Sequence, residues 1–177
     1  MKNIQETIDK LSEVGYYKYE STPKETIAQL ARSEGSLFVG MDWQKGRMFR
    51  VHRDSFGIEK LLEWKDRILS IAKAEIKDAI ITDKNEIFEV KINDETAVLP
   101  KEFYTDFYSL LTQILGTANA ALRSQGSRCE FYSIFTGEKE AFAILLTREM
   151  AEIIYDGRNL FDKMELPERA EKVTDWA

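Results

Sequence analysis

From Ser36 onward the chain runs three times through one order of elements, and that order restricts its fold more than any other feature. Two short strand-like runs enclose a polar turn, and a helical pattern follows. The first unit reads "SLFVGMDW", "QKG", "RMFRVHR", with a helix from near Ser55. The second reads "EIFEVKI", "NDE", "TAVL", with a helix from near Pro100. The third reads "CEFYSIF", "TGEK", "EAFAILL", with a helix from near Thr147. Each turn carries Gly or Asn-Asp, as hairpin connections require. Residues 79–82, "AIIT", suggest a further strand before the second unit.

The helices carry apolar stripes at 3.6-residue spacing. Ile58, Leu61, Leu62, Ile68, Leu69 and Ala72 form one; Phe103, Phe107, Leu110, Leu111, Ile114, Ala118 and Ala121 form the next. Met150, Ile153, Ile154, Leu160, Phe161 and Met164 form the last. Hairpins alternating with such helices predict an α+β fold: an antiparallel sheet of about six strands, built from successive β-hairpin–helix units and packed by helices. Sequence identity between the units is negligible, so the order fits either an internal repeat or any helix-covered antiparallel sheet.

Residues 1–35 predict two further helices. Ile4, Ile8 and Leu11 recur at helical spacing, and Gly15 is suited to end that helix. Thr22-Pro23-Lys24-Glu25 has the form of a capping box with proline at the first helical position, ahead of Ile27, Leu30 and Ala31. Gly35 is the expected stop. No Pro/Gly/Ser-rich linker divides residues 1–177, so a single domain is expected. The charged tail 165–177 reads as a short helix or a docking extension.

At 44% hydrophobic, 177 residues can bury a sizeable core. No apolar run approaches the ~18–20 residues that span a bilayer, and "MKNIQETIDKLSEVG" has no secretory h-region. One cysteine, Cys129, cannot form an internal disulfide and fits a reducing compartment. A cytoplasmic protein is expected. A net charge of −6 argues against general binding of nucleic-acid backbones.

Against that charge, "WQKGRMFRVHR" at 43–53 stands out. Lys45, Arg47, Arg50 and His52 are the candidate holders of a carboxylate or phosphate. On a strand, Arg50 and His52 share one face with Met48, while Phe49 and Val51 share the other with Arg47 and Arg53. Acidic side chains from a neighbouring element would equally neutralise such a face. His52, the lone histidine, has only Asp42 nearby as a possible metal partner, and no CxxC occurs, so no metal site is expected. Cys129 follows the turn "RSQGSR", where Arg123 and Arg128 could lower a thiol pKa, but a cysteine nucleophile would need His52 as its base. GxxxxGK[ST] and GxGxxG do not occur, and no cofactor is expected.

The small residues Gly116, Ala118, Ala120 and Ala121 fit a buried central helix or, alternatively, a dimer surface. On the preceding turns, Tyr104 and Tyr108 share a face beside Phe103 and Phe107. Half-exposed tyrosines are typical interface material. "AVLPKEFYTDFYSLL" resembles the Leu-Pro-plus-aromatic helix start of some toxin-immunity folds, a short likeness that carries no residue's role with it.

The expectation from sequence is therefore a non-enzymatic protein-binding module of inhibitor, immunity or adaptor type, acting through an acidic, tyrosine-bearing surface on another protein. A small-anion or nucleotide-binding regulatory domain using the 45–53 hairpin is the alternative. An enzyme using Cys129 or His52 is the third possibility.

Overall fold

The run "EAFAILLT" has no polar face, so a strand made of it must be covered on both sides. In the computed structural model, which describes residues 4–18, 24–34, 46–52, 58–102, 107–135, 140–158 and 166–171, that is its position. Strand β6 (Glu140–Thr147) lies inside a four-stranded sheet between β1 (Met48–His52) and β5 (Cys129–Phe135). The short β7 (Glu168–Arg169) pairs with the far side of β5. All pairings are antiparallel, with Phe49 opposite Ala143 and Tyr132 opposite Ile144.

A second sheet, of three strands, is a meander of β2 (Ala79–Lys84), β3 (Ile87–Ile92) and β4 (Glu95–Pro100). The single six-stranded sheet expected from sequence is thus two antiparallel sheets of four and three strands; the α+β class stands. The second hairpin pairs with "AIIT" rather than with the other hairpins. The physical reason is burial. In β3, Phe88, Val90 and Ile92 are buried while Ile87, Glu89 and Lys91 are not, so this sheet covers only one side of a core. The apolar β6 needs cover on two.

One core lies between the sheets. Phe49, Val51, Phe131, Ala143 and Leu145 meet Phe88, Val90, Ile92 and Leu99 of the meander. Helices α3 (Ile58–Ile71) and α4 (Phe107–Ser124) contribute Leu61, Trp64, Ile68, Leu111, Ile114, Leu115 and Ala118. The opposite face of the four-stranded sheet, with Met48, Ile134, Phe142, Ile144 and Leu146, is covered by α1 (Ile4–Glu13), α2 (Lys24–Glu34) and α5 (Arg148–Asp156).

Local chemistry sets the element ends. Gly15 has φ +78°, and the bonds from Gly15 N–H to Ser12 O and from Tyr16 N–H to Leu11 O complete a Schellman cap on α1. The Thr147 hydroxyl accepts from Met150 N–H at 3.2 Å and starts α5 where expected. Asn93, at φ +50°, makes the β3–β4 turn; its carboxamide oxygen accepts from Lys77 and Asp78 N–H, and its amide donates to Glu75 O. One turn residue thereby clamps the α3–β2 connection.

The small residues Gly116, Ala118 and Ala121 are buried, so α4 is the central helix rather than a surface one. Within the tail, the described residues 166–171 contain the strand β7 at Glu168–Arg169, with Ala170 buried, where a helix or a docking extension was expected. The expected strand 36–43, the capping box at Thr22-Pro23 and the stripe residues Phe103, Leu160, Phe161 and Met164 lie outside the described residues. No helix among the described residues is long and apolar enough to cross a membrane.

Candidate functional site

The basic segment does not act as one cluster. Arg47, just before β1, is 2% exposed. Its Nε donates to Tyr16 O at 2.6 Å, Nη1 to Leu145 O at 3.1 Å and Nη2 to Gly15 O at 3.1 Å. The guanidinium also lies 5.4 Å from the centre of the Tyr16 ring. Arg47 thus fastens the cap of α1 to β6. A cation is well placed there, because the last carbonyls of a helix carry partial negative charge.

Arg50 and His52 do share a face, but that face centres on Glu140. Arg50 Nη2 donates to Glu140 Oε1 at 3.3 Å, its Nε lies 3.3 Å from Oε2, and His52 Nδ1 lies 3.8 Å from the same oxygen. Glu140 stands opposite His52 in the β1–β6 register, so the sheet itself supplies the counter-charge. Arg50 also packs over the Phe142 ring at 5.5 Å. Lys45 lies outside the described residues.

Cys129 opens β5, half-buried, with its N–H bonded to Ser127 Oγ at 3.1 Å. Burial pushes its thiol pKa up, and the opposing pull of Arg47 and Lys18 does not cancel that. Arg123, expected beside the thiol, instead pairs with Glu130 and Glu171. Cys129 faces Thr147 and His52 faces Glu140, at the two ends of β6. At roughly 3.3 Å per residue those ends are about 23 Å apart, so the histidine is not in reach of the thiol. Among the described residues no group of three or more His, Cys, Asp or Glu is arranged to hold a metal ion.

Tyr104 lies outside the described residues. Tyr108 is half-buried on α4, its ring edge-on to Phe135 at 4.5 Å between centroids.

The feature that sequence reading missed is the outer face of the three-stranded sheet. Ile80, Thr82 and Lys84 of β2, Ile87, Glu89 and Lys91 of β3, and Thr96, Val98 and Pro100 of β4 all point away from the core. Ile80 is 49% and Val98 37% exposed. Ile87 stands opposite Pro100, and together with Asn85, Glu86, Lys101 and Glu102 they line an open cavity of about 570 Å³ at the end of the sheet. Lys101 is paired with Asp83 and packs over Phe88, leaving the exposed Glu86 and Glu102 as the outward charges of the rim. The alternation from Phe88 to Ile92, apolar and charged by turns, contains this signal: it marks a sheet with one wet face.

No protein-family model, no curated protein and no solved structure matches the chain.

Proposed function

We propose that the protein is a non-enzymatic binding module for another protein, and that the outer face of the three-stranded sheet is its recognition surface. The observation that carries this reading is the exposure of Ile80 and Val98 on a sheet face that no described element covers. A sheet normally hides large aliphatic side chains. Here Ile80 and Val98 stand on the two outer strands with Lys91 and Glu89 of β3 between them, a mixed apolar and charged face of the composition found at non-obligate interfaces. Val98 is followed on the same face by Pro100 and its partner Ile87, which line the cavity together with Glu86 and Glu102. The surface suits a partner segment carrying an apolar side chain followed by a basic one.

The small-anion alternative has weaker support, because Arg47 is spent on backbone carbonyls and Arg50 and His52 on Glu140. The enzyme reading required a Cys129–His52 contact, which the β6 register precludes.

The test compares proteins recovered from lysate on the wild-type chain, on Val98→Lys and on Arg148→Glu. Arg148 is an exposed control on α5. A partner retained by wild type and Arg148→Glu but lost with Val98→Lys is the expected result. Identical recoveries on all three chains would overturn the proposal.

A further inference from the structure

Among the described residues the three-stranded sheet ends in two edge strands, and only one of them is guarded. Lys101 N–H donates to Glu86 O, which sets the β3–β4 phase: Glu95, Ala97 and Leu99 turn their backbone groups toward β3, and Thr96, Val98 and Pro100 turn theirs outward. Pro100 has no N–H to offer, a common way of blocking an edge. Strand β2 has no such device. Asn93 N–H donates to Asp78 O, so Ile80, Thr82 and Lys84 direct their backbone groups at β3, while Ala79, Ile81 and Asp83 direct theirs at the free edge. Upstream, the N–H groups of Lys77 and Asp78 are already bonded to Asn93. Thr82, Asp83 and Lys84 are exposed whichever face they point to, and no described strand pairs with this edge.

We infer that β2 pairs antiparallel with β2 of a second copy of this chain, with Ile81 on the two-fold axis, joining two three-stranded sheets into one of six strands. Backbone geometry and two side-chain pairings agree on this register. Ile81 then faces Ile81, and Ala79 faces Asp83 of the second copy; these are the residues whose backbone N–H and C=O groups point outward. Every side chain stays on its own face, since odd residues oppose odd and even oppose even. Ile80 faces Thr82 of the other chain, covering part of the exposed isoleucine with a β-branched neighbour. Lastly, Asp78 comes opposite Lys84 of the second copy, twice by symmetry. Lys84 already lies 2.8 Å from Glu89 and would sit between two carboxylates. The inference shares Ile80 with the recognition surface proposed above but rests on the backbone groups and charges of the β2 edge; Val98, on the far strand β4, tests that surface separately.

The experiment exploits the charge pair. Sedimentation equilibrium is run on the wild-type chain, on Asp78→Lys, on Lys84→Asp, and on an equimolar mixture of the two variants, with circular dichroism confirming that each is folded. Wild type is expected to dimerise. Each variant alone places like charges opposite one another twice and should weaken its own dimer about tenfold or more. The mixture restores both opposite-charge pairs and should dimerise again. A wild-type chain that remains monomeric at every concentration overturns the inference, as does a dimer indifferent to both substitutions or a mixture no tighter than its components. Should one variant fail to fold, Ile80→Lys replaces it: this exposed side chain faces the second copy, and an unchanged dimer would again refute the pairing.

Discussion

Arg47 shows how one side chain can be misjudged from its neighbours in sequence. It belongs to a run of basic residues, yet its fork satisfies Gly15 O, Tyr16 O and Leu145 O inside the protein. Gly15 O also accepts from Lys18 N–H, so Arg47→Met takes the guanidinium donor chiefly from Tyr16 O and Leu145 O. At about 1–3 kcal/mol for each buried acceptor left unpaired, a loss of about 2 kcal/mol or more is expected in urea titrations. Arg47→Lys should cost less, since an ammonium can still reach part of the set. An unchanged midpoint for Arg47→Met would refute this role. Cys129 yields a second expectation at this scale. Burial keeps its thiol protonated to higher pH than in free cysteine, so iodoacetamide should label it more slowly than free cysteine at pH 8. Because the folded protein holds that proton more tightly than the unfolded chain, stability is lost as pH rises above the ordinary thiol range. Labelling as fast as free cysteine would contradict the assignment.

Among the elements, α4 depends on a residue that periodicity ignores. Asn119 is fully buried; its Oδ1 accepts from Phe131 N–H at 2.6 Å, and its Nδ2 donates to Phe131 O and to Ala170 O, each at 2.9 Å. The carboxamide acts as a short length of strand joining the helix, β5 and the docked tail. Asn119→Ala is expected to cost about 2–4 kcal/mol and to release residues 166–171, read as lost amide protection in hydrogen exchange. Protection that persists there would show that the tail is held by other contacts. Apolar stripes revealed α4's core face, because greasy spacing depends on the helix alone. They could not single out Asn119, whose partners lie 12 and 51 residues away in the chain. Likewise Leu61 and Ile68 on the α3 stripe were legible by spacing, while the burial of Trp64 between them and of Arg47 was not read there.

Across the whole molecule, the surface and the core place different demands on substitution. Val98 is exposed, so Val98→Lys is expected to leave stability within about 0.5 kcal/mol while abolishing partner recovery. A large loss of stability would instead make Val98 a structural residue. The arrangement of sheets decides which faces can act: β6 is sealed on both sides by helices and meander, whereas the meander keeps one side wet. What the sequence by itself determined is local: the α+β order of helices and strands, the Gly15 and Thr147 boundaries, and the apolar stripes of α3, α4 and α5, all of which follow from backbone sterics and periodic burial. Only the tertiary structure decided which strands pair, how the sheets divide, and where Arg47, Glu140 and Cys129 meet their neighbours. Those outcomes depend on contacts between residues far apart in the chain, and hydrophobic alternation specifies a face to bury without naming the partner that buries it.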